Sequence, residues 1–134
     1  MIYELVVILI LAVGILLLLR GKGVRISSAD KAKVYKAWTQ VRELENGDDH
    51  AKVRAIMEAD KLLDWCLQLI GIPGHTMGDR LKNSRGVLRN LDDVWKAHKL
   101  RNQLAHELDA RPGSGEVHAA VRAFELAIKQ VGLL

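Results

Sequence analysis

Leu91–Asp109 reads LDDVWKAHKLRNQLAHELD, and its periodicity decides the fold class. Wound at about 100° per residue, it gathers Leu91, Val94, Trp95, Ala97, Leu100, Leu104, Ala105 and Leu108 on one broad arc. Asp92, Lys96, Lys99, Gln103 and Glu107 take the opposite side. This is the signature of an amphipathic helix, opened by Asn90 or a neighbour and running to about residue 108. One residue breaks the pattern: Arg101 falls at about 280°, near the middle of the apolar arc. His98, Asn102 and His106 follow one another at i, i+4 and i+8 along an edge of that arc. A guanidinium among core positions is costly unless a carboxylate pairs with it or it opens onto a cleft.

The flanking sequence has the same helical character. Ser27 or Ser28 caps a helix over roughly 28–45, with Val34, Trp38, Val41 and Leu44 as its stripe. Asn46-Gly47-Asp48-Asp49 is a turn carrying the cap of the next helix, about 49–71, which buries Val53, Ile56, Met57, Leu63, Leu67 and Ile70. Gly71 and Pro73-Gly74 stop it. Thr76 with Asp79 forms a capping box for a short helix around 77–83, interrupted by Ser84-Arg85-Gly86. After the loop Arg111-Pro112-Gly113-Ser114-Gly115, Ser114 caps a last helix through about 131 with Val117, Ala120, Val121, Phe124, Ile128 and Val131 inward. No period-2 alternation appears, so the fold class is all-α, with a four- to five-helix up-and-down bundle over 28–134.

The N-terminal end reads differently. Leu5–Leu19, LVVILILAVGILLLL, has no polar side chain, and Ile2 and Tyr3 extend the run. It predicts a single transmembrane anchor over 1–19, followed by a basic juxtamembrane linker at 20–27 containing Arg20, Lys22 and Arg25. Those cations place the bundle in the cytoplasm, at the inner face of the plasma membrane, with the N-terminus outside.

Charge and cysteine usage narrow the function classes. The 134 residues carry a net charge of +4. With Glu4, Arg20, Lys22 and Arg25 set aside, 17 basic residues face 15 acidic ones, too even a balance for a dedicated nucleic-acid binder. The segment from Arg80 to Arg101 is locally basic, with Arg80, Lys82, Arg85, Arg89, Lys96, Lys99 and Arg101 against Asp92 and Asp93. It is either a phosphate-facing edge or a solvated surface. Cys66 is the only cysteine, which excludes an intrachain disulfide, and its apolar neighbours mark it as a core thiol. Trp38, Trp65 and Trp95 read as core residues, and His50, His75 and His118 as surface ones.

Two causes compete for Arg101. It pairs with an acidic residue of another helix, for which Asp60 qualifies because it interrupts the apolar stripe between Met57 and Leu63. Alternatively Arg101, Asn102 and His106, supported by His98, line a cleft that accepts a phosphate, with histidine moving a proton. No cofactor is called for, and no His/Cys/carboxylate spacing suggests a metal.

Arg101-Asn102-Gln103-Leu104-Ala105-His106 resembles the R-x4–6-H motif of HEPN domains, with a polar residue after the arginine. The resemblance extends over the helix order from Asp48 to Val131, including Glu58-Ala59-Asp60-Lys61-Leu62-Leu63-Asp64 on the preceding long helix. It implies a homodimer sharing one cleft and a metal-independent endoribonuclease or a nucleotide- or RNA-binding module. In it His106 acts on the ribose 2′-OH or the leaving oxygen, Arg101 holds the phosphate and Asn102 orients His106. Many HEPN domains are noncatalytic, so the alternative is a membrane-tethered helical scaffold that binds a protein partner.

Overall fold

The computed structural model describes residues 1–19 and 24–134, with side chains over 1–16 and 24–134. Six helices form the described chain: α1 (Ile2–Leu19), α2 (Ser28–Glu45), α3 (Asp49–Leu69), α4 (Met77–Lys82), α5 (Leu91–His106) and α6 (Ser114–Gln130). No strand occurs among the described residues.

The membrane expectation is corrected. Among the described residues no helix is long and apolar enough to cross a membrane. The reason lies in α1, which carries Glu4 in its first turn. From Leu5 to Leu19 the uninterrupted apolar helix is roughly 22 Å long, against about 30 Å of hydrocarbon. The single-pass anchor over 1–19 and the inner-membrane placement with an outside N-terminus are withdrawn with it. Part of the basic linker, 20–23, lies outside the described residues. The described apolar side chains of α1 are exposed, from Ile2 at 76% to Leu16 at 65%.

The bundle is built from α2, α3, α5 and α6, with α4 set into the connection between α3 and α5. α3 is the central element and packs on α2, α4, α5 and α6, while α6 also packs on α2 and α5. The apolar stripes meet as their periodicity demands: Val34, Trp38 and Val41 from α2, Ile56, Leu63 and Leu67 from α3, and Val94 and Leu104 from α5 are buried. Phe124 of α6, the only phenylalanine, is fully buried with Val121 and Ile128 beside it. Each such side chain adds about 1.5–3 kcal/mol relative to an exposed one. Cys66 is fully buried, and desolvation pushes its thiol up to about 12, so it stays protonated.

Helix ends follow local chemistry. The Ser27 hydroxyl accepts from the Asp30 N–H at 3.0 Å while the Ser27 N–H donates to the Asp30 carboxylate at 3.2 Å. Thr76 and Asp79 make the same reciprocal pair at the start of α4, at 3.1 and 3.2 Å. α3 ends in a Schellman motif, with the Gly71 N–H on Gln68 O and the Ile72 N–H on Leu67 O, and Gly71 at φ +83°. Two expectations fail here. The cap of α6 is Gly113, not Ser114, because the Glu116 carboxylate reaches back to the Gly113 N–H at 3.0 Å. α5 stops at His106: Glu107 is extended, Asp109 turns left-handed at φ +56°, and Pro112 follows. Leu108, expected on the apolar arc, is therefore 96% exposed.

Candidate functional site

α3 presents Asp60 and Asp64 one turn apart, facing α5 and α4. Asp60 is buried, an acid at a stripe position, and so needs partners. The first is His98 of α5, whose Nδ1 lies 2.7 Å from Asp60 Oδ1. The second is Arg101, one turn further on, with Nε 3.5 Å from Asp60 Oδ2. That Nε is buried and makes no hydrogen bond, so its contact with Asp60 is an ion pair only. Arg101 Nη1 donates to Asn102 Oδ1 at 3.0 Å, and Asn102 Nδ2 faces His98 Nε2 at 3.3 Å.

These contacts close a ring whose proton positions can be assigned. A carboxylate only accepts, so His98 carries its proton on Nδ1. Arg101 only donates, which fixes Oδ1 of Asn102 toward it and turns the amide N–H₂ to His98 Nε2 as donor. Nε2 then holds a lone pair, and the only buried side-chain polar atom of this ring left without a hydrogen bond is Arg101 Nε. Trp95 packs edge-on against His98 with ring centroids 5.9 Å apart, which restrains the imidazole plane.

A second clamp sits one turn along α3. Arg80 donates from Nε and Nη2 to the two oxygens of Asp64 at 2.6 and 3.1 Å, and its Nη1 donates to the Gly74 carbonyl. The Asp64 hydrogen bonds raise the Arg80 pKa further, so this buried guanidinium stays charged. Arg80 therefore leaves the basic edge to which its sequence neighbourhood assigned it. Sequence reasoning missed this clamp. The available signal was Asp64, a second acid at i+4 from Asp60.

Beside the first clamp opens a cleft of about 590 Å³. Asp60, His98, Arg101 and Asn102 form one wall, and Met57 and Met77 supply apolar surface. Its charged lining is Glu58, Asp60 and Asp64 against Lys61 and Arg101. That balance has no cationic excess, so the cleft is not biased toward an anion.

The six-residue motif is thus divided. Arg101 and Asn102 reach the cleft together with His98 and Asp60. His106 closes the exposed C-terminal end of α5 and is not among the cleft's lining residues. Asn102 turns to His98 and Arg101, whereas the HEPN resemblance had it orient His106. Among the described residues, no group of three or more His, Cys, Asp or Glu side chains is placed to hold a metal ion.

Comparison with protein-family models, with curated proteins and with solved structures returned no match.

Proposed function

We propose that this chain acts as a noncatalytic helical interaction module. The observation that carries the reading is the ion pair of Arg101 with Asp60 inside one chain, in a ring that uses up the polar atoms of His98 and Asn102. An arginine serving a scissile phosphate needs free donors and surplus positive charge around it. Here its Nε faces a buried carboxylate, and the cleft lining has more acids than bases. The ring instead ties α3 to α5 and sets their register.

A second reading has one observation in its favour. The Arg101 side chain is 37% exposed and borders an open cleft with His98 and Asn102. A HEPN-like, metal-independent ribonuclease would complete that site by bringing His106 from a second copy. Incubating the full chain with varied single-stranded RNAs in EDTA separates the two. The interaction module leaves the RNA intact for wild type, Arg101→Ala and His106→Ala alike. Cleavage by wild type that disappears with either substitution would establish the nuclease instead.

A further inference from the structure

The clamps leave five cations of the locally basic segment without an ion pair among the described residues, and three of them gather around one cleft. Lys82 ends α4, and Arg85 and Arg89 lie in the connection to α5; all three are exposed, and none forms an ion pair among the described residues. They border a second cleft of about 600 Å³, whose floor is Leu91 and Trp95 and whose one acid is Asp92. We infer that this cleft docks an acidic peptide segment of a protein partner, its carboxylates on Lys82, Arg85 and Arg89 and an apolar side chain over Leu91 and Trp95. The inference rests on the interaction-module reading and names the chemistry of the partner.

Preorganisation supports it. The 83–90 connection is pinned at both ends rather than draped over the surface. The buried Ser84 hydroxyl donates to Arg80 O at 2.7 Å, the Ser84 carbonyl accepts from the Val87 and Leu88 N–H groups, and Leu88 is sunk into the core. The Arg89 N–H donates to the Gln130 side chain at 2.6 Å, and Asn90 bonds both Ala123 O and Gln130. The backbone that carries the two arginines is therefore fixed before a ligand arrives, which lowers the entropy lost on binding. Arginine forks match carboxylates in paired hydrogen bonds, and Trp95, half-buried over Gly78 and His98, offers a rigid apolar face.

Charge complementarity selects an acidic partner, with three cations against one acid. A nucleic acid fits less well, because the positive charge is gathered around one concave cleft rather than along an extended track.

The test uses the full chain and a fluorescein-labelled nonapeptide of glutamates around a central leucine, followed by anisotropy. A uridylate oligonucleotide of matched charge serves as the comparison ligand. The variants are Lys82→Ala/Arg85→Ala/Arg89→Ala and a control, Lys31→Ala/Lys33→Ala/Lys36→Ala, which removes three exposed cations from α2. All six positions are exposed, and helical circular dichroism verifies that both variants fold. The cleft variant is expected to bind the peptide about tenfold more weakly, with the control unchanged. Equal loss in both variants, absence of saturable binding to wild type, or tighter binding of the oligonucleotide would overturn the inference. A failure here with RNA left intact in EDTA removes only this docking site, whereas RNA cleavage removes the module reading beneath it.

Discussion

Asp60 and Asp64 sit one turn apart on α3, and each holds an arginine from a later helix, Arg101 and Arg80 respectively. The two pairs differ in what surrounds them. Arg80 is 9% exposed, forked onto both oxygens of Asp64 and tied to the Gly74 carbonyl, whereas Arg101 is partly solvated and shares its carboxylate with His98. Gly74 is essential to the Arg80–Asp64 pair. At φ +151° it lies outside the range of other residues, and a Cβ there would come within 2.8 Å of the Arg80 backbone nitrogen and the Asp79 Cβ. Gly74→Ala is therefore expected to destabilise the fold by roughly 1–3 kcal/mol, read as a lower urea midpoint with an unchanged slope. A stability within error of wild type would mean that the α3–α4 turn relaxes at little cost.

At the scale of elements, local signals were legible and directional ones were not. The Ser27 and Thr76 caps, the turn at Asn46-Gly47-Asp48 and the stop at Gly71 all depend on residues within four of one another, which is why the sequence displays them. The Asp60–Arg101 contact was legible for another reason: both residues are charged on apolar stripes, and two such anomalies demand a common solution. Arg80–Asp64 spans sixteen residues and depends on the direction α4 takes after Gly74, which no periodicity encodes. The end of α5 is not legible in the periodicity, because Glu107 and Leu108 continue the helical pattern while Pro112 acts from further along.

The capping boxes also set an acid response. Hydrogen bonds from Ser27 and Thr76 hold the Asp30 and Asp79 carboxyls below the usual range. A depressed folded-state pKa adds stability that is complete above the unfolded value near 3.8 and is lost as pH falls through the folded value. Unfolding midpoints measured from pH 6 to pH 2 are expected to fall below about pH 4, and less steeply in Asp30→Asn/Asp79→Asn. An identical slope in both proteins would show that other groups govern acid unfolding.

At the scale of the whole molecule, the core is shared by α2, α3, α4, α5 and α6, and the described apolar side chains of α1 are exposed. The chain from Val24 onward is therefore expected to fold without α1, with an unfolding free energy within about 0.5 kcal/mol of the full chain. A loss above 1 kcal/mol in chemical denaturation would show that α1 stabilises the bundle.

The account depends on Asp60 joining α3 to α5 through His98 and Arg101, in place of a free arginine at a reaction centre. A double-mutant cycle on unfolding free energy, with Asp60→Ala, His98→Ala and the double variant, measures that joint directly. Mutual satisfaction of the buried pair predicts a coupling of about 1–3 kcal/mol, each single substitution costing nearly as much as both. Additive effects with no coupling, in folded variants, would contradict it.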